Sequence, residues 1–172
     1  CGQDTYASPC ERSLKKIINS FLKLESEGII MDEIKGVTFP IPKKYMSRFF
    51  EENKTVFIKP ATVFKEIKPG LKLVFYQSHE NTGFVGEASI KRMIMLDDPL
   101  KFFGMFGNSI FLTKQEVKEY LEEQKKWQGI RVRKGETKKK KWMALELENI
   151  KQYQEPMKPK RFVPVGGQYI RE

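Results

Sequence analysis

The clearest alternation of apolar and polar positions lies over residues 71–96. The run LKLVFY at 71–76 is apolar and rich in Val, Phe and Tyr, which predicts a buried strand. Residues 77–83 gather Ser, His, Asn, Thr and Gly, which predicts a turn. A second strand is predicted over 84–95, with Phe84, Ala88 and Ile90 on one face and Glu87, Ser89 and Lys91 on the other. Two strands joined by a polar turn make a hairpin, opened here by Pro69-Gly70. Gly86 inside the second strand marks a bulge or a close approach by another group. This hairpin is expected at the centre of a small β-barrel.

The flanking pattern supplies further elements. Residues 36–41 (GVTFPI) predict a short strand. Pro42 opens a helix to about Glu52, with Tyr45, Met46, Phe49 and Phe50 inward. Residues 55–59 form a strand that Pro60 ends. Asp97-Asp98-Pro99 breaks the chain, and the aromatic run at 100–106 reads either as a turn of helix covering the core or as a stacking wall at a pocket mouth. A brief strand is expected at 110–112. The capping box Thr113 to Glu116 starts a helix that should bury Val117, Tyr120 and Leu121, run to about Trp127 and stop at Gly129. Residues 130–133 and 141–149 then flank Gly135-Glu136-Thr137, which predicts a hairpin with a basic tip. A Pro-rich extended segment leads to a last strand near 165–170. At the other end, 1–30 reads as a helical appendage. Ser8 and Glu11 form a capping box, Leu14, Ile17, Phe21 and Leu22 share one face of a helix over 9–27, and Gly28 ends it. That face needs a cover, either the barrel, a protein partner or a second copy of the chain. Met31 looks like a natural start, so the domain proper is taken as 31–172.

Composition narrows the function. The net charge of +10 points to an acidic partner, most simply RNA or single-stranded nucleic acid. Most of it lies over 125–141, where nine Lys or Arg stand against one acid, Glu136. No apolar run is long enough to cross a bilayer, so no membrane role is expected. The two cysteines, Cys1 and Cys10, and the single His79 cannot make a four-ligand zinc site, so no metal or cofactor is expected. Free thiols suit a cytoplasmic protein.

No P-loop, dinucleotide fingerprint or zinc-protease motif is present. What the residues do offer is a pocket. Lys59, Tyr76, Gln77, Ser78 and Glu87 fall at strand ends or bulges of the hairpin region, where polar groups rim small-ligand sites. An unpaired base needs aromatic faces and amide edges, which Tyr76, Gln77, Phe84, Phe102, Phe103 and Trp142 can supply. Arg131, Arg133, Lys138, Lys139, Lys140 and Lys141 are the candidates for phosphates. Taken singly, each aromatic also reads as core and each polar group as a turn residue.

The segments Val56-Phe57-Ile58-Lys59-Pro60, Lys68-Pro69-Gly70-Leu71-Lys72-Leu73-Val74-Phe75-Tyr76 and Gly83-Phe84-Val85-Gly86-Glu87-Ala88-Ser89-Ile90 resemble PUA-like domains of the ASCH and EVE kind. There too a Pro-Gly turn opens a strand and a later strand reads V-G-x-A. The region from Met31 to Tyr169 looks like an uncharacterised archaeal family of that superfamily. The resemblance implies an α+β domain built on a PUA-like mixed-strand pseudo-barrel with flanking helices, binding RNA or a modified nucleobase in a cleft beside the barrel. Some ASCH proteins are amidohydrolases on an acylated cytidine and use Lys, Thr and Glu. Lys54, Thr55 and Glu87 are the matching catalytic candidates. The ASCH segment usually continues with Glu and Arg, whereas this chain continues Val56-Phe57-Ile58-Lys59, and that departure weighs against an enzyme.

The expected function is therefore RNA binding without catalysis, linked to RNA modification or processing. The alternatives are a small amidohydrolase on modified nucleosides and a protein-interaction adaptor. Each phosphate contact to a single strand adds about −0.7 to the log–log salt slope. Changing Lys138, Lys139 and Lys140 to Gln is expected to weaken RNA binding at low salt and flatten that slope by about 2. Titration of a fluorescent single-stranded RNA at several salt concentrations checks this, and identical slopes would remove these lysines from the binding surface.

Overall fold

The structure, a computed structural model, describes residues 33–60, 64, 66–79, 81–132 and 140–171, with backbone only over 128–132. The expected appendage with its helix over 9–27, the two cysteines, and Arg133, Lys138 and Lys139 lie outside the described residues.

Six strands make one mixed sheet: β1 (Ile34–Pro42), β2 (Val56–Pro60), β3 (Lys72–Ser78), β4 (Gly83–Leu96), β5 (Trp142–Met157) and β6 (Gln168–Arg171). Their order is β2-β5-β4-β3-β1-β6. β1 and β3 run parallel, and every other neighbouring pair is antiparallel. Among the described residues three α-helices accompany the sheet: α1 (Lys43–Phe50), α2 (Phe102–Phe106) and α3 (Lys114–Val132).

The architecture is α+β, and the central hairpin is β3–β4, paired Leu73↔Ala88 and Phe75↔Gly86. The sheet is not a closed barrel, however. Among the described residues no ladder joins the edge strand β2 to the edge strand β6. Beyond Thr38↔Gln168, β1 has no partner on the β6 side among the described residues. Pro40 and Pro42, which lack an N–H to donate, occupy that unpaired stretch. The sheet still curls enough to stack Phe39 of β1 on Phe57 of β2, ring centroids 5.5 Å apart.

α1 fills the hollow of this curl. Its Met46 and Phe49 are buried. Phe49 lies 4.9 Å from Phe75 and 5.1 Å from Phe111, ring to ring. Phe111 in turn stacks on Phe57 at 5.2 Å. Such ring pairs add to plain area burial, so this cluster is the dense part of the core.

Gly86 proves to be both a bulge and a close approach. The β3–β4 register shifts between Phe75 and Tyr76. The β4–β5 register shifts between Phe84 and Gly86. A Cβ on Gly86 would sit 2.5 Å from the Lys151 carbonyl oxygen and 2.8 Å from the Phe50 ring. The bulge changes the facing of β4. Val85, Ala88 and Ile90 are buried, and Phe84 instead lies edge-on to Tyr76 at 5.7 Å. A strict alternation counted through the bulge misplaces Phe84 by one face.

Three other expectations need correction. Residues 110–112 are not a strand: Ile110 makes one parallel bridge to Val56 and the chain bends away. Gly129 does not stop α3, which continues to Val132. Glycine permits a left-handed cap but does not compel one, and mid-helix it costs only about 1 kcal/mol. Residues 130–132 are therefore helical, not one arm of a basic hairpin, and β5 pairs with β2 and β4 instead. The short I-R-V-R alternation was too brief to separate strand from helix end.

The capping box at the start of α3 forms as expected. The Thr113 N–H donates to Glu116 Oε2 at 2.8 Å, and the Glu116 N–H donates to Thr113 Oγ1 at 3.2 Å. The same carboxylate takes a bidentate pair from Arg48 of α1, at 2.7 and 2.8 Å. Arg48 also donates to the Phe111 carbonyl at 2.8 Å. One guanidinium thus fixes α1, the Phe111 segment and α3 together. Its hydrogen bonds, opposed by desolvation and helped by Thr113, hold the Glu116 carboxyl down to about 2 from 4.5. A depressed carboxylate stabilises the fold above its unfolded value and loses that contribution as pH falls toward 2. Glu116→Gln is expected to cost about 1–2 kcal/mol at neutral pH. Urea titrations along a pH series should show the variant and wild type converging between pH 4.5 and 2. A constant difference throughout would show that the ion pair contributes nothing.

Candidate nucleic-acid interface

Two open clefts lie on either side of α1 and share Pro42 and Lys44 in their linings. The smaller, about 420 Å³, is bounded by the end of β1, by β2, by Phe111-Leu112 and by α3. Its chemistry centres on Lys59. β2 carries this side chain inward so that Nζ sits 4.1 Å from the centroid of the Phe39 ring. Nζ also donates to the Gly166 carbonyl at 3.3 Å. Burial lowers this ammonium to about 8 from 10.5, since desolvation disfavours the charged form.

Aromatic rings wall this cleft. Tyr45 lies edge-on to Phe111 at 5.9 Å, and Tyr120 edge-on to Trp142 at 5.4 Å. Tyr120 is 41% exposed, so its ring offers a free surface. Glu119 and Glu123 of α3 also line the cleft and supply acceptors. The lining is thus aromatic and rich in acceptors, with two lysines, Lys59 and Lys44.

The larger cleft, about 870 Å³, lies between α1 and the turn end of the β3–β4 hairpin, with the far half of β5. Lys43, Lys44, Gln77, His79, Gln152 and Tyr153 are among its walls. Gln77 is a strand residue, not a turn residue. It is 8% exposed, and its Nε2 donates to the Asn81 carbonyl at 3.3 Å. The turn proper is shorter than the pattern suggested, with His79 and Asn81 at φ of 73° and 47°.

The remaining sequence candidates disperse. Tyr76 lies against Phe84. Ser78 ends β3 opposite Pro42 and is half-buried. Phe102 is fully buried, and Phe103 packs half-buried against the core. Trp142 is 3% exposed but lines the Lys59 cleft. Lys140 and Lys141 are exposed and immediately precede it. Arg131 falls in α3, where only the backbone is described.

The three catalytic candidates have separate partners. Lys54 donates to the Asn108 carbonyl at 2.7 Å. Thr55 lines a hollow of about 320 Å³ beside Asn53 and Leu147. Glu87 accepts from Lys72 at 2.9 Å and from the Tyr153 hydroxyl at 2.9 Å. These two donors, the lysine first, hold its carboxyl below the usual range. Burial and the Glu87 bond push the Tyr153 hydroxyl up to about 12. Among the described residues no hydrogen bond or ion pair links Lys54 or Thr55 to Glu87, and no group of three His, Cys, Asp or Glu could hold a metal ion. No described helix is long and apolar enough to cross a membrane.

Sequence reasoning missed the cleft role of Tyr45, Tyr120 and Glu119. The two tyrosines fit helical apolar faces, a pattern that predicts them inward, but Tyr120 is 41% exposed at the edge of its face. No sequence signal distinguished a wall residue from a core residue there.

The structure resembles the crystal structure of an ASCH protein from Zymomonas mobilis, with a TM-score of 0.61 at 14% identity over 80% of this chain and 89% of that one. A point mutant of the same protein aligns with a TM-score of 0.62 at 13% identity, over 82% and 92%. At such identity the likeness concerns the fold, which is PUA-like of the ASCH kind. Residues 34–172 match the model of the "Domain of unknown function (DUF365)", and the chain belongs to that family. An uncharacterised protein of the archaeon Methanocaldococcus jannaschii, MJECS03, is 41% identical over 102 residues, which cover 59% of this chain and 91% of that protein.

The Lys59 environment gives a direct test. A lysine lowered by burial gains reactivity as pH rises through about 8, well below an ordinary lysine. Mass-spectrometric acetylation across a pH series is expected to give Lys59 a midpoint near 8. The same lysine should make the fold more stable between pH 8 and 10.5, because the unfolded chain still holds the proton there. A midpoint shared with the exposed lysines would contradict the buried setting.

Proposed function

We propose that this domain binds single-stranded RNA and takes one unpaired base, modified or not, into the Lys59 cleft. The carrying observation is the cleft itself, which pairs a half-buried ammonium with the Tyr45, Phe111, Tyr120 and Trp142 rings and opens to solvent. Its volume of about 420 Å³ suits a small ligand. Base faces stack on aromatic rings irrespective of sequence, and base edges are read by hydrogen bonds.

Charge placement supports this polarity of binding. Glu119 and Glu123 repel phosphate but accept from amino or imino groups on a base edge. Lys140 and Lys141 stand directly before Trp142, a residue of the cleft wall. Phosphates then lie on the lysines outside and the base lies within. The net charge of +10 favours the same partner. A link to RNA modification or processing belongs to this reading, through the preference of such a cleft for a flipped base.

Tyr120→Ala is expected to weaken binding of a fluorescein-labelled single-stranded RNA about tenfold, the size of one lost stacking contact. Tyr120→Phe should bind nearly as wild type, since the ring face is kept. Fluorescence anisotropy at fixed low salt reads both. Failure of the wild-type protein to bind at micromolar concentration would end the RNA reading.

A further inference from the structure

The connection from β5 to β6 combines cations, an exposed ring and a rigid frame. Residues 158–167 read KPKRFVPVGG, with Lys158, Lys160 and Arg161 and no acid. All three cations are exposed. Phe162 is 82% exposed and Val165 86% exposed, the two largest exposures among the bulky apolar side chains described. A phenylalanine this exposed forgoes nearly all the stabilisation that burial would give it.

The segment is held at three points. Val163, beside Phe162, is 4% exposed and anchors the middle. The Gly167 N–H donates to the Pro164 carbonyl at 2.8 Å, closing a turn. Gly167 sits at φ of 88°, and a Cβ there would stand 2.2 Å from the Phe39 ring. Next to it, the Gly166 carbonyl accepts from Lys59 Nζ. The connection is therefore fastened to Lys59, which lines the cleft, and to the buried Phe39 ring against which that ammonium lies. Pro159 and Pro164 restrict the backbone on either side of Phe162.

We infer that residues 158–165 form a second contact surface for single-stranded RNA, with Phe162 stacking on a base outside the cleft and Lys160 and Arg161 holding the phosphates on either side of that base. This rests on the proposed RNA reading and extends it from one base to a track. Cations beside an exposed ring fit a strand that alternates phosphates with flat bases. Two exposed apolar side chains on a tethered turn are little to anchor a membrane, whereas one ring is enough for one base.

The test uses the full chain and a fluorescein-labelled single-stranded RNA of about twelve nucleotides, within the range of known single-strand sites. Phe162→Ala should bind about tenfold more weakly. The double change Lys160→Gln with Arg161→Gln should flatten the salt slope by about 1.4. Phe162→Trp should keep wild-type affinity, and its added indole fluorescence should be quenched by RNA. All these side chains are exposed, so the variants should unfold at the wild-type denaturant midpoint.

Wild-type affinity in Phe162→Ala, or no quenching in Phe162→Trp, overturns this inference and leaves the cleft reading standing. Weaker binding by Phe162→Ala with unchanged binding by Tyr120→Ala does the reverse. No RNA binding by the wild-type protein ends both. Phe162-dependent sedimentation with anionic phosphatidylserine vesicles, alongside RNA binding that ignores Phe162, would assign the surface to a membrane instead.

Discussion

An unclosed, curled sheet leaves a hollow that water would fill unless a large side chain occupies it, and Phe49 does so here. Its ring meets Phe75 from the sheet and Phe111 from the segment before α3, while Phe111 passes the contact on to Phe57. The cluster reaches Phe39 through Phe57. Removing a ring of this size from a core costs about 3–5 kcal/mol, much of the stability of a domain this small. The position of α1, the curl of the sheet and the end of β2 beside β1 all follow from it.

The cleft is a consequence of that packing. With α1 seated by Phe49, the adjacent Arg48 reaches α3, and the bidentate pair with Glu116 sets the wall opposite β2. The capping box makes the same carboxylate serve the helix start. Lys59 then lies between a core ring and the β5–β6 connection, with its ammonium near Phe39 and Gly166. A cation so placed is costly to bury alone, which is why it titrates early and why an anionic or acceptor-bearing ligand would find it receptive.

The surface around the cleft has a division of charge. Carboxylates of α3 line the cleft together with Lys44 and Lys59, and further exposed cations stand on the two connections that border β5. A uniformly basic groove attracts any polyanion. A lining of both signs instead favours a polyanion whose flat, donor-bearing groups project from its backbone.

Much of the fold was legible from local pattern. The β3–β4 hairpin, the helix opened by Pro42 and the capping box at Thr113 each depend on residues close in sequence, where side-chain periodicity and capping act directly. Gly86 was legible as a special position because its cause, a neighbour too close for a Cβ, leaves a glycine behind. The facing of Phe84, the extent of α3 past Gly129 and the open edge of the sheet were not legible. Each is settled by contacts between distant segments that local alternation does not encode. The site divides in the same way. Sequence alone picked out Lys59, Gln77 and Trp142 as residues worth watching, because a polar group at a strand end or a ring beside a basic run stands out locally. Only the tertiary structure joined Lys59 to Tyr45, Tyr120 and Gly166, since these come from four separate elements that Phe49 and Arg48 hold in place. It also separated Glu87 from Lys54 in their bonding, because the ladder gives Glu87 the neighbours Lys72 and Tyr153 first.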